Sequence, residues 1–109
     1  MSPEQAQGNL ELQDGRTDIY SLGTVLYEAL SGRAPFSGKS VEIILEKVMN
    51  EAPPPLLTTA PHVPKELISI VETAMDKNPG RRYPTMEAFV GQLEKWGRRK
   101  NTTEVLKEL

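Results

Sequence analysis

Apolar residues recur at helical spacing along four stretches of this chain, and strand signals are absent. Between residues 18 and 31, Ile19, Leu22, Val25, Leu26, Ala29 and Leu30 share one helix face, while Tyr20, Gly23 and Tyr27 form a second face that is also largely uncharged. A helix apolar on most sides belongs at the centre of a fold. Thr17 or Asp18 stands where a side-chain oxygen would cap this helix, and Gly32 follows it as the expected left-handed C-terminal residue. Beyond the turn Ala34-Pro35-Phe36, the residues Val41, Ile44, Leu45, Val48 and Met49 recur at i, i+3, i+4, i+7 and i+8. Glu42 in the first turn and Lys47 in the last suit the helix dipole, so 41–49 reads as an amphipathic surface helix.

The next segment, EAPPPLLTTAPHVP, holds five of the nine prolines and predicts an extended loop rather than a helix or a central strand. Pro64 opens a third helix where a missing N–H is harmless, with Leu67, Ile70, Val71, Ala74 and Met75 on its inner face, and Asn78-Pro79 closes it. Thr85 caps a fourth, whose inner side carries Met86, Phe89, Val90, Leu93 and Trp96. From Gly97 the chain is short and polar, so residues 97–109 are expected to fray, with at most a last helical turn from Thr103. Residues 1–16, marked by Pro3, Gly8, Asp14 and Gly15, leave room for a turn or two around Glu4. The class is therefore all-α, helices joined by proline- and glycine-marked loops, with one folded unit over 1–96 and a polar tail.

Composition narrows the function classes. With 109 residues one modest core is the most to expect, and 38% hydrophobic, 26% charged and a net charge of -2 give no general attraction to polyanions. The lack of cysteine excludes disulfides, thiolate metal sites and a cysteine nucleophile, and leans toward a cytoplasmic location. No apolar run approaches the roughly 20 residues of a membrane helix. The run KWGRRK at 95–100 is flanked by Glu94 and Glu104, and Trp96 is in phase with the inner face of its helix, so a nucleic-acid or lipid patch is not favoured.

Four words in order carry a resemblance: SPEQAQG at 2–8, DIYSLGTVLYEALSGRAPF at 18–36, VPKELISIVETAM at 63–75 and KNPGRRYPTMEAF at 77–89. Together they resemble the far end of a protein kinase catalytic domain, in the style of bacterial eukaryotic-like Ser/Thr kinases, over about residues 1–96. The fold this implies is a small orthogonal assembly of the last helices of the C-lobe, without β-sheet. Ser2-Pro3-Glu4 resembles the A-P-E that ends the activation segment. Glu4 would then pair with Arg82, the arginine of Pro79-Gly80-Arg81-Arg82, whose planar fork suits a carboxylate; the alternative is two solvated charges. The resemblance gives Asp18 the task of holding backbone amides of the catalytic loop, against plain helix capping. It gives the 41–49 helix, with Val41, Ile44, Leu45 and Val48, the task of docking a protein partner, against ordinary packing.

The departures from the family bear on activity. Phosphoryl transfer needs a glycine-rich loop, a lysine–glutamate pair, an aspartate base and magnesium ligands, and these 109 residues hold no G-x-G-x-x-G, no H-R-D and no D-F-G. The only histidine, His62, lies in the proline loop with no second ligand or nucleophile near it in sequence. The expected reading is a kinase fragment with no catalytic, cofactor-binding or metal-binding residues, inactive alone, whose full-length parent uses ATP and magnesium. Met1 fits a shortened reading frame, a cloned fragment or a gene remnant equally. The other reading is a stand-alone helical interaction module, which self-associates through the apolar 18–31 helix.

Overall fold

The computed structural model describes residues 1–8 and 15–108, with side chains through residue 98. Among the described residues six helices follow one another: α1 (Pro3–Ala6), α2 (Gly15–Ser31), α3 (Val41–Asn50), α4 (Leu56–Thr59), α5 (Lys65–Ala74) and α6 (Met86–Glu108), with a 3-10 turn at Pro79–Arg81 between the last two. No strand occurs among the described residues.

Helix α2 is the axis of the fold and packs against α4, α5 and α6, while α3 stands apart from that group and packs against α1. One side of α2 sends Tyr20 and Tyr27 into a cluster with Leu56, Val63, Ile68, Val71 and Met75. The other sends Ile19 into a second cluster with Ile70, Ala74 and Phe89, edged by Leu93 and Trp96. Both clusters draw on α5, so α5 is the wall that α2 leans on from end to end. The contact is close because Gly23 faces it: a Cβ there would lie 2.9 Å from Met75 Cγ and 3.1 Å from Ala74 Cβ. The stacked rings of Tyr83 and Phe89, with centroids 5.1 Å apart, seat the start of α6 on this wall.

Four local expectations change. Helix α2 begins at Gly15, so Thr17 and Asp18 lie in its first turn and neither caps it. The Thr17 hydroxyl is taken by a tertiary bond to Glu4 instead. The buried face of α2 is Tyr20-Gly23-Tyr27 with Ile19, whereas Val25 is 60% exposed and Ala29 faces solvent.

The proline loop contains α4, a single turn in which Thr58 N and Thr59 N both donate to Pro55 O. Proline at the entrance of a helix removes only an N–H that would have no partner, and fully buried Leu56 fastens the turn to the core. Finally, α6 runs through Gly97 to Glu108 rather than fraying. Its two interior glycines, Gly91 and Gly97, weaken the helix by about 1 kcal/mol each, and no proline follows to stop it.

Candidate functional site: a buried carboxylate–guanidinium anchor

Helix α1 is too short to be stable alone and is shaped by its cap. Ser2 Oγ accepts from Gln5 N at 3.3 Å while Ser2 N donates to Gln5 Oε1 at 2.9 Å, a reciprocal capping box with Pro3 in the first helical position. This local order fixes the direction of Glu4, whose side chain enters the body of the protein and is 2% exposed.

Arg82 reaches it from the other end of the chain. The segment leading to it is bent by Asn78, whose Oδ1 accepts from Gly80 N at 2.9 Å and starts the 3-10 turn. Arg82 itself is extended and 4% exposed. Its Nη1 donates to Glu4 Oε2 at 2.7 Å and its Nη2 to Glu4 Oε1 at 2.9 Å, the two-pronged geometry that only a guanidinium offers. The remaining donors are engaged too: Nε to Asp76 O at 2.6 Å, Nη1 to Arg16 O at 3.0 Å and Nη2, more weakly, to Lys77 O at 3.4 Å. Thr17 Oγ1 donates to Glu4 Oε2 at 2.9 Å, and the guanidinium lies 4.8 Å from the centre of the Tyr20 ring.

The electrostatics follow from that wiring. Burial pushes the Glu4 carboxyl upward, but the hydrogen bonds from Arg82, its own backbone N–H and Thr17, with the Arg82 charge, outweigh it and hold the pKa below the ordinary value. Tyr20 is the opposite case: burial pushes its hydroxyl up to about 12, the Arg82 charge notwithstanding, and the hydroxyl has no hydrogen-bond partner among the described residues. Its ring supports the cation, and its oxygen is left over.

The structure thus joins Glu4, Thr17, Tyr20 and Arg82 across α1, α2 and the approach to α6. It does not bring Asp18 to them; Asp18 is exposed in the first turn of α2. In α3, Val41 is 69% exposed, Ile44 and Leu45 are half-buried, and Val48 is buried, so Val48 belongs to the packed side and the accessible apolar positions are Val41 and Ile43. His62 is exposed. Thr17 and Tyr20 were not marked for this site by the sequence pattern. An uncharged second face on α2 was the one signal that could have drawn attention to Tyr20.

Lys77 extends the anchor toward α3. Its Nζ donates to Val48 O at 2.6 Å and stands 4.8 Å from the centre of the Phe36 ring, and burial lowers its pKa. On the outer side, Lys47 Nζ donates to Ser37 O at 2.7 Å. Among the described residues no group of three or more His, Cys, Asp or Glu is gathered as a metal site would require. None of their helices is long and apolar enough to cross a membrane. With both carboxylate oxygens accepting and every guanidinium N–H directed at an acceptor, the ion pair holds segments together and leaves neither charge open to a substrate.

Comparison with known proteins gives the arrangement its context. A family model described as "Protein tyrosine and serine/threonine kinase" matches residues 1–93. The serine/threonine-protein kinase PknB of Mycolicibacterium smegmatis is 45% identical over 85 residues, 78% of this chain and 13% of that protein. For PknA of Corynebacterium glutamicum the values are 45% over 84 residues, 77% and 17%. PrkC of Bacillus subtilis is 41% identical over 94 residues, 86% of this chain and 14% of its own. The chain therefore spans only about 13 to 17% of the length of these relatives. The buried ion pair that ties the Ser-Pro-Glu helix to the Asn-Pro-Gly-Arg-Arg turn, the all-helical fold and these matches agree: the chain belongs to the protein kinase family and corresponds to the C-terminal part of the C-lobe of a bacterial Ser/Thr kinase domain.

Proposed function

We propose that this chain is the helical base of a Ser/Thr kinase whose full-length form transfers the γ-phosphoryl group of ATP to protein hydroxyls, and that these 109 residues alone do not catalyse the transfer. The observation that supports this most is the saturation of the Glu4–Arg82 pair, in which both carboxylate oxygens and all the guanidinium N–H groups are spent on holding α1, α2 and the 76–82 segment in place. Positioning and charge stabilisation of a phosphoryl group need a nucleotide cradle, a base and metal ligands, and the sequence carries none of their motifs. Titration of the purified chain with ATP and magnesium tests this. No saturable binding at millimolar nucleotide is expected, and clear magnesium-dependent binding overturns it.

A second reading, a stand-alone helical interaction module, is favoured by one observation: the outer strip of α2 leaves Val25 60% exposed and Ala29 open to solvent on the central helix of the fold. Pairing of two copies through that strip, or a protein partner on the Val41 and Ile43 side of α3, would cover such surface. Light scattering over a range of concentration decides the first of these, since a well-folded chain that stays monomeric at high concentration rules out self-association.

A further inference from the structure

Between the proline segment before α4 and the C-terminal end of α5 lies a cleft of about 340 Å³. That volume falls in the lower part of the range of small-molecule sites. Its walls are apolar and preformed. Tyr27 and Met75 are core residues, Pro53 and Pro55 have their φ angles fixed by their rings, and the Tyr27 hydroxyl is already given to Pro54 O. The wall is stiff enough to keep its shape when empty.

The polar groups at its rim are unequal. Lys77 is engaged with Val48 O and Phe36, and Asp76 Oδ1 accepts from Asn78 N at 2.9 Å. Glu72 is different: it stands exposed at the mouth of the cleft, no hydrogen bond or ion pair reaches its carboxylate among the described residues, and the apolar wall beside it raises its pKa. With Asp76 beside it and the ammonium of Lys77, the one cation of the lining, held by Val48 O and the Phe36 ring, the rim carries two carboxylates against one ammonium next to an aromatic and aliphatic wall. A neutral ligand would leave Glu72 as it is, and an anion would be repelled.

We propose that this cleft is a binding site for a small organic cation, an aryl amine or amidine whose apolar body lies against Tyr27, Met75 and the prolines while its charge meets the Glu72 carboxylate. The cleft takes in neither the Glu4 nor the Arg82 side chain, although Arg82 holds the carbonyls of its rim residues Asp76 and Lys77, and the site does not depend on phosphotransfer by the parent.

The test uses the full 109-residue chain, uniformly labelled with 15N, titrated with benzamidine and in parallel with its neutral counterpart benzamide. Benzamidine is expected to shift the amides of Ala52, Glu72, Met75, Asp76 and Lys77 along one saturating curve, with benzamide about fivefold weaker. Glu72→Gln should bring benzamidine down to the benzamide level, while Glu42→Gln, on exposed α3 and away from the cleft, should leave it unchanged. Equal binding of the two probes, undiminished binding to Glu72→Gln, or shifts gathered around Met1 and Val25 instead would each overturn the proposal.

Discussion

Replacing Arg82 by Ala should be the most damaging single substitution at the anchor, and its size can be worked from the geometry. The change removes two charge-assisted bonds to Glu4 and three bonds to main-chain carbonyls, and it strands a carboxylate that is 2% exposed. Breaking a buried pair from one side loses about 3 to 5 kcal/mol, because the remaining charge keeps its desolvation without its partner. For a domain of this size total stability is about 5 to 15 kcal/mol, so the loss is about a fifth of the whole at the least. The midpoint of thermal unfolding should fall by more than about 10 °C.

The pH dependence is a sharper check. In the native chain the folded pKa of Glu4 lies below the ordinary value of 4.5, so the unfolded chain binds the extra proton in acid. The pair's contribution is therefore present above about pH 4.5 and is lost as pH falls through the folded pKa. Without Arg82, burial is opposed only by the bonds from the Glu4 backbone N–H and Thr17, so the Glu4 pKa rises from its native position and the variant gains relative stability as acid neutralises the stranded group. Urea unfolding followed by circular dichroism at pH 7 and again near pH 4 should show the gap between native and variant narrowing in acid. A loss below about 1 kcal/mol at neutral pH, or a gap that pH leaves alone, refutes the reasoning.

Removing the Tyr20 hydroxyl with Tyr20→Phe should leave stability unchanged or raise it by about 1 kcal/mol, since the oxygen is buried without a partner and the ring beneath Arg82 is retained; a thermal scan showing a loss of that size would count against it. Gly23→Ala should destabilise by about 1 to 3 kcal/mol although alanine is the better helix former, because the new methyl meets Ala74 and Met75, and a rise in the unfolding midpoint would contradict the close α2–α5 contact. Leu56→Ala should lose about 2 to 5 kcal/mol in urea unfolding, whereas Leu57→Ala, at a position 55% exposed, should lose under about 0.5. In hydrogen exchange, Lys77→Met should speed exchange in α3 while leaving α5 protected, and uniform protection would mean that the Lys77 contact to Val48 does not hold α3.

The sequence made the helices legible because their apolar positions repeat at 3.6 residues and their ends carry recognisable residues: Gly32 has φ 73° at the end of α2, and Ala88 N donates to Thr85 Oγ1 at 3.1 Å at the start of α6. What it hid was tertiary. Thr17 looks like a cap in isolation and is drawn instead to a carboxylate 13 residues earlier in the chain. Val25 and Ala29 fit an inner face by periodicity, yet α2 is turned so that Gly23 meets α5, since only there can the two backbones come close. The turn of α4 within the proline segment depends on one side chain, Leu56, finding the core, which no local pattern announces. The Glu4–Arg82 geometry, spanning 78 residues, has no periodic signature at all, and only the family resemblance pointed to it.

The fold divides by what each part depends on. Helices α2, α5 and α6 bury their own apolar faces against one another, so hydrophobic area holds them. Helix α1 has four residues and cannot nucleate or persist by propensity; its place is set by its capping box and by one carboxylate. Helix α3 packs on α1 and is tied to the core side by Lys77, which neighbours the carbonyls that Arg82 holds. The guanidinium therefore stands between the self-sufficient helices and the two that are not. Well-packed apolar residues in place of the pair would do as well on energy alone, but an apolar contact is non-directional, whereas five directed N–H bonds fix where α1 and the 76–82 segment lie relative to α2. In a lobe whose short helices lack cores of their own, that direction is what places them.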